Sequence, residues 1–356
     1  MAFISTLLTL ALTFAFFFGQ LGKIDIYRYS LSYLDIILPI IFIYNLLHLG
    51  LRKQLQIKNR NFLIFLIIAW SIFLVQLIIT PFHLLSFMYL MRLTILLSFF
   101  IFPPQFINFK IFSLGIISNL IFGFIQYIIW PDFTVFKSFN WDPHLYRLVS
   151  TYFDPTFTAL IYLLFIIFLF FKSKLRITDY GLLITSYLAL SLTYSRSTFL
   201  SLAIVAFVVG KYLKKPSLGP LVTVLVIATV LLLPRFPGEG TKLERDSSIR
   251  AKIVNYQEGF SLFTKHPMFG VGYNNLPFVR TYVNSSSHAI SGFDSSLLTI
   301  LTTTGILGIV PFILGIIELY KNSSNIRKFS LLAVLVHSLF ANSLLYPWIL
   351  IFLALI

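Results

Sequence analysis

The chain has 356 residues, 58% of them hydrophobic and only 11% charged, with a formal net charge of +15 and a mean hydropathy of +0.90. That composition excludes an ordinary soluble domain, and the absence of cysteine excludes disulfides, a thiol nucleophile and a cysteine-based metal site. The positive charge does not point to nucleic acid, because it is gathered in short clusters flanking apolar runs, as the positive-inside rule expects.

Apolar runs recur at 2–21, 33–50, 62–80, 84–102, 110–130, 153–171, 178–195, 197–213, 218–233, 296–319, 329–343 and 345–356. Backbone groups in hydrocarbon have no water to bond, so runs of this length must be helical. A transmembrane barrel would need alternating patterning, which is absent. The first run lacks a basic leader and a small-x-small cleavage site and reads as a retained span. The last two runs are short, so the expectation is an all-α, polytopic membrane bundle of eleven or twelve helices in one domain, 1–356. No paired, Gly- or Pro-broken spans of the inverted-repeat transporter type are evident.

Five connections are basic and nearly free of acid: 51–60, 103–110, 172–176, 211–215 and 321–328. They alternate with the others, which predicts that they and the N-terminus are cytoplasmic. The polar insert at 234–295 is then extracytoplasmic. It is too long for a simple connection. Within it, Ile249, Ile253, Tyr256, Phe260 and Phe263 recur at helical spacing, Asp246 precedes them as a candidate N-cap, and HPMFGVGYNN is a Pro- and Gly-bounded turn.

Few charged side chains lie in or beside the spans. Arg92 falls mid-span and needs a partner within the bundle, for which Asp35 has the matching depth. Arg147 and Arg196 stand at outer span ends, where a planar guanidinium fork suits phosphate oxygens. Asp154-Pro155 follows Arg147 in the pattern of a helix N-cap with proline at N1. Arg250 opens the helix of the insert, with Arg245, Lys252, Lys265 and Arg280 near it in sequence, which predicts an electropositive outer face. Asp294 stands one turn ahead of a span, where it can cap the helix or take a proton from a hydroxyl at the water–lipid boundary. His288 and His266 are further candidate bases, although a lone loop histidine is more often ordinary. The histidines and carboxylates lack metal-ligand spacing, and no Gly-rich nucleotide loop precedes a helix.

Four blocks in order carry a family likeness: RLVSTYFDPTFTA (147–159), LTYSRSTFLSL (192–202), RAKIVNYQEGFSLFTKHPMFGVGYNN (250–275) and DSSLLTILTTTGILG (294–308). Together with the large outer loop between late spans, they resemble the O-antigen ligase/polymerase superfamily of membrane glycosyltransferases. The chain departs from that pattern in having Asp294-Ser295 where ligases usually carry His-Asn, and an acidic residue there is more in keeping with polymerases. Ser150 and Thr156 are milder departures.

The resemblance implies glycosyl transfer on the outer face from a polyprenyl-diphosphate-linked glycan to a glycan or lipid-anchored hydroxyl acceptor, without metal or other cofactor. Asp294 is then expected to act as base, with His288 in reserve, and Arg147, Arg196 and Arg250 to bind the diphosphate. The rival expectation is a transporter or flippase for lipid-linked saccharides or polar solutes, which Arg92 and Asp35 favour.

Overall fold

A computed structural model describes residues 2–26, 29–51, 56–79, 84–139, 144–237, 240–280 and 291–356. Every predicted span is a helix: α1 (Ala2–Phe18), α2 (Tyr33–Leu51), α3 (Arg60–Ile79), α4 (Leu84–Ile101), α5 (Phe109–Ile129), α6 (Pro155–Phe170), α7 (Ile177–Leu192), α8 (Arg196–Tyr212) and α9 (Leu218–Leu232). Beyond the insert come α12 (Ser296–Lys321), α13 (Asn325–His337) and α14 (Pro347–Leu355), while the insert itself carries α10 (Ser247–Lys265) and the single turn α11 (Leu276–Val279). Among the described residues five helices are long and apolar enough to cross a membrane, and four shorter helices are also apolar. Large apolar side chains such as Ile78, Ile177 and Leu232 point outward with almost their whole surface exposed. In water such a surface would aggregate; against lipid tails it costs nothing. The protein is an integral membrane, all-α bundle.

The hydrophobic core centres on α6, whose residues are nearly all shielded by neighbouring helices, and on α14, buried from Trp348 to Ala354. The α6 N-terminus forms as its sequence predicts: Asp154 Oδ1 accepts from the Thr156 and Phe157 amides at 2.6 and 3.2 Å, and Pro155 takes the first helical position. The Arg92 guanidinium grips Asp35 in two parallel bonds of 2.5 and 2.6 Å, and Asp35 also accepts from the Ser32 amide and hydroxyl. Arg92 thus finds its counter-charge inside the bundle.

Two features had no counterpart in the hydropathy pattern. An antiparallel hairpin, β1 (Lys23–Ile26) and β2 (Tyr29–Ser32), joins α1 to α2. The second is a break in α12 at Gly305, whose φ of 64° and ψ of −165° are accessible essentially to glycine alone. The Pro- and Gly-bounded turn of the insert fills this break. Val271 and Gly272 donate to the Thr302 and Thr303 carbonyls at 2.9 and 2.8 Å, and the Ile306 amide donates to Pro267 at 2.9 Å. Backbone groups orphaned by the break are therefore met by the turn, the condition under which a helix can be interrupted in lipid. Gln76 of α3 donates to the Val271 carbonyl at 2.7 Å and accepts from Asn275 at 2.6 Å, fastening the turn to the bundle.

Candidate functional site

The site lies where α10 crosses the ends of α8, α12 and α13. Asp246 holds the N-cap position of α10, as its sequence suggests, but makes no side-chain cap bond. The helix is pinned by side chains one turn apart: Lys252 Nζ donates to the Phe340 carbonyl at 2.5 Å, and the Tyr256 hydroxyl donates to the Leu339 carbonyl. On the same stretch, Asn255 Oδ1 accepts from the Asp294 amide at 2.8 Å, and Lys252 Nζ stands 3.3 Å from Asp294 Oδ1.

Asp294 is not the helix cap. Ser295 takes that place on α12 and accepts from the Leu298 amide. The carboxylate is therefore relieved of the capping role, and 37% of its side chain remains exposed. Further along α10, Glu258 holds Arg280 through bonds of 2.9 and 2.6 Å. Arg280 in turn donates to the Gly292 carbonyl at 2.8 Å and covers the Phe293 ring at 4.6 Å. One face of α10 thus sets the path of the chain from Gly292 to Asp294.

Two cavities flank this helix. The larger, about 880 Å³, is walled by Leu200, Ile249, Ile253, Tyr256 and Leu339, with Arg147, Arg196, Arg245 and Lys252 on its lining. Ile249, Ile253, Leu200 and Leu339 are all exposed, so its apolar wall is open and not sealed inside the bundle. The smaller, about 520 Å³, is polar and holds Asp154, Asp294, Asn255 and again Lys252. Thr156, Lys252 and Phe340 border both.

Arg147 is buried, and its Nε donates to the Thr193 carbonyl at 2.7 Å. Burial above all, and then the neighbouring Arg245 and Arg196, push its guanidinium down to about 9, while Asp154 opposes them. It stays protonated at neutral pH, yet an anion beside it would relieve the strain of the clustered charge. Arg196 donates to the Leu243 and Arg245 carbonyls at 3.1 and 3.2 Å and to Ser248 Oγ at 2.5 Å. The backbone around these arginines is unusual: Tyr146, Ser150 and Phe153 surround Arg147 in left-handed conformation, and so does Tyr194 just before Ser195-Arg196. Such conformations cost free energy and tend to gather where side chains must be aimed.

Of the residues expected to serve the site, Arg147 and Arg196 share one cavity, and Asp294 stands on the other side of Lys252. Arg250 is exposed on α10 and lines neither cavity. Helical geometry explains this: two positions further along, Lys252 turns inward, and Arg245 reaches the cavity from the segment before α10. Arg280, read from sequence as part of an electropositive face, is consumed by Glu258. His288 lies outside the described residues. Lys252 and Asn255 form an i, i+3 pair on one helix face, a spacing legible in the sequence but silent about what the face meets.

Comparison with curated proteins returns no match. Residues 181–313, from α7 through the insert and most of α12, match the family model described as O-antigen ligase (Wzy_C). The matched region holds Arg196, Arg245, Lys252 and Asp294, and it supports placing the chain in the O-antigen ligase/polymerase superfamily.

Proposed function

We propose that the protein transfers a glycan from a polyprenyl-diphosphate carrier to a hydroxyl acceptor on the extracytoplasmic face of the membrane. The observation that carries this reading is the position of the Lys252–Asp294 pair between a polar cavity and an apolar one rimmed by three arginines. A lipid diphosphate needs both halves of that second cavity: apolar wall for the chain, and guanidinium forks for the phosphates.

In the proposed reaction Asp294 takes the proton of the acceptor hydroxyl as its oxygen attacks the anomeric carbon. A glycosidic C–O bond forms, and the bond from the anomeric carbon to the diphosphate oxygen breaks. The electron pair leaves on the diphosphate, where Arg147, Arg196 and Arg245 stabilise the growing charge. Lys252 lies between base and leaving group and touches both cavities. Arg250 serves at most as an outer cation on this reading, and its role passes to Arg245 and Lys252. On this reading the insert lies outside the cell and the N-terminus and the 51–60 connection in the cytoplasm, a sidedness that the basic connections support.

Elongation of a lipid-linked glycan is favoured over ligation to a different acceptor, on the strength of Asp294 at the position where ligases usually carry histidine. The experiment is an assay of the purified protein in lipid with lipid-linked oligosaccharide. A longer lipid-linked ladder is the expected product; glycan on another acceptor would make the protein a ligase. Flipping in proteoliposomes with no covalent product would overturn transfer altogether. The Arg92–Asp35 pair, which favoured a transport role on sequence, is accounted for by its mutual bidentate bond.

A further inference from the structure

The polar cavity of about 520 Å³ has a wall whose chemistry the transfer reaction alone does not use. Gln20, Asn274 and Asn342 line it together with Tyr346 and Trp348. Three buried polar atoms of this wall, Asn274 Nδ2, Asn342 Oδ1 and Trp348 Nε1, have no hydrogen-bond partner among the described residues. Asn274 and Trp348 are 8% and 3% exposed, so water in bulk does not satisfy them. Native proteins rarely leave such groups unmet unless a ligand or ordered water completes them. Asn274 is also held in left-handed backbone, and Tyr346 is fixed flat against Phe157 at 3.9 Å between ring centres.

A donor N–H from an amide, an acceptor oxygen from another, an indole N–H and flat aromatic faces match one class of molecule. A pyranose ring carries hydroxyls that both donate and accept around its edge, and a C–H face that packs on aromatic rings. The volume falls in the range of small-molecule sites. The charges of the wall do not select an anion. Arg92 is held by Asp35, Lys252 by Asp294 and the Phe340 carbonyl, and Lys23 is itself engaged. Two carboxylates line the same space, Asp154 as the cap of α6 and Asp294 as the partner of Lys252, so the wall offers an anion no uncommitted cation.

We infer that this cavity is a binding site for a neutral sugar ring of the acceptor, with Asn274, Asn342 and Trp348 reading its hydroxyls and the reacting hydroxyl turned toward Asp294. The inference rests on the proposed transfer reaction for the word acceptor, but the sugar site stands on the wall itself.

The test uses the full chain in lipid nanodiscs, with methyl glycosides of neutral hexoses, N-acetylhexosamines and a hexuronic acid as probes in saturation-transfer NMR. Neutral glycosides are expected to bind, and Asn342→Ala combined with Trp348→Phe to weaken them about tenfold. Asn342→Ala alone, which leaves the core ring in place, covers the case in which the double variant does not fold, with a weakening of about threefold expected. Unchanged binding in a folded variant, no binding of any neutral probe, or preference for the uronic acid would each overturn the site. Asp294→Asn separates the two readings: it is expected to keep glycoside binding within about twofold while losing transfer. Binding without transfer in the unaltered protein would remove the proposed function and leave the sugar site. Transfer with an unchanged acceptor KM in the wall variants would do the reverse.

Discussion

Lys252 Nζ stands 3.3 Å from Asp294 Oδ1, and the same ammonium donates to the Phe340 carbonyl at 2.5 Å. The carboxylate is thus held by a group itself anchored to the α13–α14 turn, while its own amide is fixed by Asn255. If Asp294 is the base, Asp294→Asn removes proton acceptance but keeps size and hydrogen bonding. The expected loss in kcat is about 100-fold or more. Transfer kinetics and thermal unfolding on the same sample check it: a drop in melting temperature with full activity below it would leave Asp294 a structural residue only.

Arg147 offers a sharper test of the donor side, because it is buried against two other arginines. Arg147→Lys keeps a charge but loses the fork, one edge of which bonds the Thr193 carbonyl and the other of which serves the phosphate in the proposed reaction. The donor KM is expected to rise about tenfold, with the acceptor KM little changed. Separate titration of the two substrates reads this directly. An equal change in both would mean that Arg147 supports the fold of the junction and not the donor.

Much of this arrangement was legible in the chain. Twelve apolar runs become twelve helices, Asp154-Pro155 caps α6, and Arg92 finds Asp35. These depend on local periodicity and on the cost of charge in lipid, which a single sequence displays. The inward turn of Lys252 in place of Arg250 did not show, because periodicity gives a helix face but not what it packs against. The polar wall was hidden for a different reason: Asn274, Asn342 and Trp348 come together only when the insert folds back onto the C-terminal turn. Arg280 was misread because Glu258 lies 22 residues away, beyond any helical spacing.

Two glycines, one at the break in α12 and one in α7, give predictions of opposite sign. At Gly305 the backbone is left-handed, and a Cβ would strike the Met268 carbonyl. Gly305→Ala is therefore expected to cost about 1–3 kcal/mol or more. At Gly181, exposed within α7, a Cβ meets nothing within 4 Å. Gly181→Ala is expected to stabilise by about 0.5–1 kcal/mol through lower chain entropy in the unfolded state. Thermal unfolding in one detergent compares them. Equal, small effects would show that the turn at 266–275 adapts to the added methyl.

Arg280 and Glu258 supply the last prediction, because their pair is buried and directs the chain into Asp294. The Arg280 side chain is 1% exposed and Glu258 14%, so the guanidinium has no bulk water to fall back on. Glu258→Gln leaves a buried guanidinium without its counter-charge, which is expected to cost about 3–5 kcal/mol. Replacing both, as Arg280→Met with Glu258→Leu, removes the uncompensated charge and is expected to recover most of that stability. Activity should not recover with it. The Arg280 bond to the Gly292 carbonyl and its contact with the Phe293 ring are lost in the double variant, so Asp294 is no longer aimed. A fall in kcat with unchanged donor KM in the restabilised protein would mark Arg280 as a positioning residue. Full kcat in that variant would reduce the pair to a structural clasp.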